Sequence, residues 1–397
     1  MHHTYYFIWL LSVLLVCFFL QRFFELLKTG QAAEVDVMLQ DEHFKNFMVS
    51  QEQLSLAFVQ VVLLNNTNLI EILLKHGVEA NTCDCMFNEN GIMQAARFGH
   101  SDMILYLIKL GVNVNHQSDN GNTALHVAIE NMHHRCLQVL VQQPAIDLNI
   151  KDCSGYSPLM WTARLRDWRG MKILIEAGCN IESKDFTKGV NALHIVVDSE
   201  RAFWKGAKAT FEDSDKCIEL LASAGIDINA GDIYKNTPLL YAIRSTNVRA
   251  VKTLLKLNCR FTATQRVGSA FSGTSFYFND DGVIGSNPSL LPLYVALSKL
   301  NVATAKMLCL AGIEYHKLSQ EPLVIEYVAN VYPPLGELLQ KLVHNPVSLQ
   351  QVCRSKIRRC VGSKITGFRS AKLDLPVSLV SYICLDDLDA LATQRGR

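Results

Sequence analysis

The chain has 397 residues, enough for two or three ordinary domains or for one long repeat array. Its 38 lysines and arginines nearly balance its 37 aspartates and glutamates, so a formal net charge of +1 argues against nucleic acid as a main partner. Twelve cysteines are scattered without a CxxC pair or a Cys/His quartet. We therefore predict no metal site, no cofactor and no redox dithiol, and expect reduced, buried thiols.

The amino terminus is strongly apolar. Tyr5 to Leu20 contain a single polar residue, and Arg22 and Lys28 follow shortly after. The stretch lacks the basic start and the small-residue cleavage site of a signal peptide. Two interpretations stay open for this leader, residues 1–22. It is either a membrane anchor, with contact through residues 5–27 and the carboxyl side held in the cytosol by the basic residues, or a packing helix without a membrane role.

A repeat dominates the middle of the chain. Tetrapeptides of the pattern Thr-Pro-Leu-His recur at residues 123–126, 157–160, 191–194, 237–240 and 291–294, and the first three begin 34 residues apart. Several of the repeats also end in a glycine after an apolar helical stretch, at Gly77, Gly111, Gly178, Gly225 and Gly312. Glycine at that position allows the left-handed conformation that ends a helix.

This series resembles the ankyrin family, whose unit of about 33 residues is a β-turn followed by two helices. The resemblance implies an all-α fold, a solenoid of helix-turn-helix repeats with β-turn tips. It covers residues 23–320 in about eight units, and connecting helices are expected at 321–344. In this family the histidine of the tetrapeptide bonds the neighbouring turn backbone, which is the role expected of His126 and His194.

Two insertions interrupt the spacing. The first, near residues 199–214, falls between the two helices of one unit, and the second, near 262–289, falls between units. The second is rich in Gly, Ser, Asn and Asp, a loop composition. Its aromatic segment at 271–278 either docks a partner or folds back onto the solenoid.

The resemblance also implies where a target protein binds, because hairpin tips and first helices are the variable face of ankyrin units. Tyr and Arg are common interface anchors. The predicted target-binding residues are Tyr156, Arg164, Leu165 and Tyr234, with Cys153, Ser154, Lys188, Val190, Ile233 and Asn236 in neighbouring positions.

A new pattern begins at residue 345. Leu349, Val352, Cys353 and Ile357 form one apolar stripe of a predicted helix, whose other face is basic. The run at 348–357 resembles the elongin C-binding half of a SOCS box. The resemblance assigns elongin C binding to Leu349, Cys353 and Ile357.

About 20 residues later, residues 373–383 resemble the second half of a SOCS box. There the resemblance assigns cullin binding to Leu375, Pro376, Val377, Leu379 and Tyr382. The cullin it implies is the fifth, although Asp374 stands where the family often has proline. The SOCS box is expected over residues 345–397.

Together these segments resemble the ankyrin-repeat-and-SOCS-box family. The resemblance implies a non-enzymatic, cytoplasmic adaptor of an elongin B/C–cullin–RING ubiquitin ligase that acts in intracellular signalling. The repeats would hold a protein target of unknown identity. The alternative is an ankyrin scaffold, tethered to a membrane or cytosolic, without a ligase role.

Overall fold

The computed structural model describes residues 18–50, 53–198, 211–261, 277–279, 282–285, 291–299, 301–311 and 313, with separate helical positions between 325 and 340. The chain divides into two compact units. Unit one comprises Met1–Trp161 with Glu176–Cys179, and unit two comprises Thr162–Ile175 with Asn180–Arg397.

Unit one is built from helices that follow one another in pairs. They are α1 (18–29), α2 (Ala32–Gln40), α3 (Glu42–Ser50), α4 (Gln53–Leu63), α5 (Thr67–Lys75), α6 (Gly91–Phe98), α7 (Ser101–Lys109), α8 (Ala124–Glu130) and α9 (His134–Val141). The turns inside the pairs hold one residue at positive φ, as at Gly30, Asn65, Gly99 and Met132. Such a residue reverses the chain within a few positions, which places the two helices of a pair side by side.

The core of unit one comes from the apolar faces of these helices. In α7 the buried side chains Met103, Ile104 and Leu107 follow the helical period, which is the pattern that predicted a one-faced helix. The packing leaves little room, since a Cβ on Gly91 would lie 3.3 Å from both Leu107 and Phe58. The helices are therefore held by close contact of apolar side chains rather than by their own propensity alone.

The first helix crosses the boundary that we expected between the leader and the repeats. Phe23, Leu26 and Leu27 are buried, whereas Phe18 and Phe19, nearer the start, are exposed. Among the residues that the structure describes, no helix is both long and apolar enough to cross a bilayer. Residues 5–17 of the predicted segment lie outside the described part of the chain.

Unit two contains the later helices. These are the second half of α10 (Pro158–Leu165), then α11 (Trp168–Glu176), α12 (Ala192–Val197), α13 (Phe211–Ser223), α14 (Pro238–Arg244), α15 (Val248–Lys256), α16 (Leu291–Ser298) and α17 (Val302–Ala311). The first insertion, predicted near residues 199–214, follows α12 in the chain. Its last residues belong to α13, and residues 199–210 are not among those described.

The second insertion contains a short antiparallel hairpin, β1 (Tyr277–Asn279) paired with β2 (Gly282–Gly285). A register irregularity lies between Tyr277 and Phe278. The composition predicted only a loop here, and the hairpin is an addition to the all-α solenoid. Residues 341–397, which include every predicted SOCS-box residue, lie outside the described residues.

Candidate target-binding surface

A buried carboxylate holds the hairpin turn that precedes α10 in unit one. Asp152 Oδ1 accepts hydrogen bonds from the backbone N–H groups of Ser154 and Tyr156, both at 2.8 Å. Its second oxygen accepts from Trp161 Nε1 at 2.9 Å. The side chain is 6% exposed, so these bonds satisfy a carboxylate that has lost most of its water.

The turn before α14 in unit two is built in the same way. Asp232 Oδ1 accepts from the backbone N–H groups of Tyr234 and Asn236, again at 2.8 Å, and Oδ2 accepts from the Tyr241 hydroxyl at 2.9 Å. In the preceding turn, Asp185 Oδ1 accepts from the backbone N–H groups of Lys188 and Val190. These inward carboxylates fix the turn backbone and leave the outer side chains free to differ.

Neighbouring turns are joined by backbone hydrogen bonds. Within unit one, Asp119 N donates to Phe87 O and Cys153 N donates to Asn120 O, each at 3.0 Å. Within unit two, Ile233 N donates to Lys188 O at 2.9 Å. Each unit therefore presents its tips as a row at fixed spacing, which is the geometry of a preformed protein-binding surface.

The two tetrapeptide histidines have the structural role that we predicted. His126 Nδ1 accepts from Thr123 N at 3.1 Å, and its Nε2 lies 3.1 Å from Tyr156 O in the next turn. His194 repeats the arrangement, with Nε2 3.0 Å from Asn236 O. Burial lowers the pKa of His126 from 6.5 to about 4, so the ring stays neutral and links the helix to the turn.

The predicted target-binding residues differ in accessibility. Tyr234 is 63% exposed at a tip of unit two. Tyr156, at a tip of unit one, and Arg164, in α10, are half-buried. Leu165 is only 6% exposed, so the prediction that it offers an accessible contact is wrong.

Exposed apolar tip residues outside the predicted set include Met86 and Phe186. Met86 in unit one is 74% exposed, and Phe186 in unit two is 67% exposed. Each lies one or two positions after the turn aspartate, Asp84 or Asp185. Counting from that aspartate, rather than from the helix that follows, would have found them in the sequence.

The cysteines match the expectation only in part. Cys136, Cys179, Cys217, Cys259 and Cys309 are buried, but Cys85 and Cys153 are exposed. Burial raises the pKa of Cys179 to about 11 and that of Cys309 to about 12, so both remain protonated thiols. Within the described part of the chain, no cluster of three or more His, Cys, Asp or Glu side chains is arranged to hold a metal ion.

Comparison with known protein families identifies the modules. Ankyrin-repeat models match residues 58–152 and 207–255, and a SOCS-box model matches residues 345–384. The chain is therefore an ankyrin-repeat protein with an all-helical repeat domain. The combination with a SOCS box places it in the ankyrin-repeat-and-SOCS-box family. Both modules serve interaction and adaptor roles rather than catalysis, and together they are the two parts of a ubiquitin-ligase adaptor in general terms.

Curated relatives share only stretches of the repeat region. The chain is 26% identical to mouse (Mus musculus) Rabankyrin-5 over 162 residues, which are 41% of this chain and 13% of that protein. It is 29% identical to the Arabidopsis thaliana Potassium channel AKT2/3 over 171 residues, 43% of this chain and 19% of the channel. The Drosophila melanogaster Neurogenic locus Notch protein is 31% identical over 117 residues, 30% of this chain and 4% of Notch. The chain thus spans less than a fifth of each relative.

Proposed function

We propose that this chain is the substrate-recognition adaptor of an elongin B/C–cullin–RING ubiquitin ligase. The observation that carries the proposal is the SOCS-box match at residues 345–384, which follows matched ankyrin repeats in one chain. In this division of labour, the repeats within residues 23–320 hold a protein target and residues 345–397 recruit the ligase. Ubiquitin transfer itself takes place on the recruited subunits, and the chain contributes proximity.

Elongin C binding is assigned to Leu349, Cys353 and Ile357. They share one face of the predicted helix, and the small thiol between two aliphatic side chains fits a shallow pocket on a partner. Cullin binding is assigned to Leu375, Pro376, Val377, Leu379 and Tyr382, and the proposed cullin is the fifth, with its RING protein.

The test is copurification of elongins B and C with the full chain. We expect Leu349→Ala with Cys353→Phe to abolish elongin C binding, because the stripe loses an anchor and gains an oversized ring. The matched control is Arg354→Ala with Arg358→Ala, which changes the opposite face of the same predicted helix and should keep binding. Wild-type recovery of elongin C by the first variant would remove the SOCS-box assignment.

Cullin recruitment is tested separately. Pro376→Ala with Leu379→Ala should lose the cullin while retaining elongins B and C, since the two partners are assigned to different halves of the box. Immunoblotting with antibodies to individual cullins would identify which one is recruited. Simultaneous loss of elongin C would show that these residues support the whole box rather than the cullin contact.

A further inference from the structure

Two neighbouring tips of unit two form a surface that is both cationic and apolar. The backbone N–H of Ile233 donates to Lys188 O at 2.9 Å, and this hydrogen bond holds the two tips next to each other. Lys184 Nζ also donates to Gly231 O at 3.2 Å, from one turn to the next. We name this region the cationic tip surface, and its outer side chains are Lys184, Phe186, Lys188, Ile233, Tyr234 and Lys235.

The acidic side chains of these two tips are turned into the turns and do not face outward. Asp185 and Asp232 are buried and accept the turn N–H groups. The exposed acids of the preceding loops are Glu182 and Asp227, and the Glu182 carboxylate accepts from the backbone N–H of Asp227 at 2.6 Å. Lys188 and Lys235 stand outside that loop contact and are exposed at matching positions of the two tips. The charged side chains that face outward at the two tips are therefore lysines, in a chain whose net charge is only +1.

The apolar side chains of this surface are exposed more than the repeat fold requires. Phe186, Tyr234 and Ile233 are 67%, 63% and 58% exposed. Neighbouring exposed aromatic and aliphatic side chains, rimmed by charge, are typical of a protein-binding site because their burial supplies affinity. The tip of unit one at residues 118–122, where Ser118 N donates to Asn122 O, carries neither lysine nor an exposed apolar side chain.

We propose that the cationic tip surface binds an acidic segment of a target protein that also carries aromatic or aliphatic side chains. The lysines attract and orient the carboxylates, and Phe186, Ile233 and Tyr234 bury the apolar side chains between them. The proposal rests on the adaptor function above and adds the chemistry of the target. The choice of an acidic partner follows from charge complementarity with the exposed lysines.

The test uses the full chain copurified with elongins B and C. The probe is a fluorescein-labelled random copolymer of glutamate and tyrosine, with polyglutamate and a lysine–tyrosine copolymer for comparison, and the readout is fluorescence anisotropy. We expect the glutamate–tyrosine copolymer to bind more tightly than polyglutamate and to weaken as salt is added, because exposed charge pairs are screened. The lysine–tyrosine copolymer should bind poorly.

Two tip variants locate the site. Lys188→Glu with Lys235→Glu should weaken copolymer binding at least about tenfold, since two attractive contacts become repulsive. Phe186→Ala with Tyr234→Ala should weaken it about tenfold through lost apolar burial. The matched control, Lys109→Glu with Lys299→Glu, makes the same charge change at exposed lysines outside the tips and should alter affinity less than about twofold.

Elongin copurification separates failure of this proposal from failure of the adaptor function. Wild-type copolymer affinity in both tip variants, with elongins retained, would overturn the cationic tip surface as the site. Equal binding of the lysine–tyrosine copolymer would overturn the acidic chemistry. A gain of about tenfold in affinity on Asp280→Asn with Asp281→Asn would point to the chain's own acidic residues, between β1 and β2, as the occupant. That result would overturn the choice of an external partner.

Discussion

In unit one, Asp152 binds two turn N–H groups and the indole of Trp161, and in unit two, Asp232 binds two turn N–H groups and the hydroxyl of Tyr241. Trp161 and Tyr241 each lie nine residues after their aspartate. The outer side chains of the two regions differ completely, however. The tip at 152–156 exposes cysteine and serine, with Tyr156 half-buried, whereas the tip at 232–236 exposes isoleucine, tyrosine and lysine.

The comparison shows that side chains within one short loop have two different roles, stabilising the turn and contacting a partner. Inner side chains are fixed by the need to satisfy buried turn backbone, and they recur because that need recurs in every repeat. Outer side chains contact mainly solvent and are constrained only by the partner they meet. Stability and recognition can thus be changed independently in this protein, and the following variants test that separation.

The largest change in the free energy of unfolding is expected when a turn carboxylate is removed. Asp152→Ala and Asp232→Ala should each lower the free energy of unfolding by about 3 kcal/mol, because several buried donors lose their acceptor at once. Urea unfolding followed by circular dichroism measures the change. Asp227→Ala is the control, since this exposed side chain accepts a single N–H, from Asn229, and should cost about 0.5 kcal/mol. Equal losses in all three variants would contradict the special role of the inner carboxylates.

Leu165 and Tyr234 give the next contrast, between an inner and an outer side chain of unit two. Leu165→Ala should cost about 2–3 kcal/mol because it opens a cavity in the packed interior. Tyr234→Ala should change stability by less than about 0.5 kcal/mol, since the side chain is mostly exposed. Thermal and urea unfolding of both variants measures the two losses of stability. A loss for Tyr234→Ala as large as that for Leu165→Ala would mean that the tip is part of the core.

The buried histidine of unit one should make stability depend on pH. The folded-state pKa of His126 is about 4 and its ordinary value is 6.5, so below 6.5 the unfolded chain binds a proton that the folded chain does not. Stability is then lost as pH falls from about 6.5 towards 4. Between pH 7 and pH 5 the loss is about 2 kcal/mol.

The measurement for this histidine is urea unfolding at both pH values for the wild type, His126→Gln and His134→Gln. The first variant should lose the acid sensitivity by about 2 kcal/mol relative to wild type. The second changes a half-buried histidine in α9 and should keep it. An unchanged pH dependence in His126→Gln would assign the acid sensitivity to other groups.

The smallest expected difference in stability is between alanine substitutions of two tip glycines, one in each unit. Both Gly121 and Gly189 have positive φ, but an added Cβ would lie 2.7 Å from the backbone Cys153 N in the first case and 3.1 Å from the side-chain Ile233 Cγ2 in the second. Backbone cannot move aside as a side chain can. Gly121→Ala should therefore cost about 1 kcal/mol more than Gly189→Ala.

A third glycine provides the reference for backbone strain alone. Gly111 has φ of +80° and no atom within 4 Å of an added Cβ. Gly111→Ala should cost about 1 kcal/mol, less than either tip variant. Differential scanning fluorimetry ranks the three proteins, and a Gly111→Ala loss equal to that of Gly121→Ala would remove the contact between tips as the cause.

The sequence alone determined the fold class and the role of the tetrapeptide histidines. These depend on local signals, namely helical periodicity, glycine at helix ends and a motif whose hydrogen bonds reach only the adjacent turn. The SOCS box was found in the same way, because its residues recur at fixed spacing along the chain.

Tertiary structure decided which side chains of the repeat surface are accessible. Leu165 and Tyr234 both looked like contact residues by position, but Leu165 is buried, whereas Tyr234 is exposed at the Asp232 turn. The hairpin in the second insertion and the exposure of Phe186 were likewise beyond the sequence signals we used. Burial depends on which elements pack together over long distances in the chain, and local periodicity carries no information about that packing.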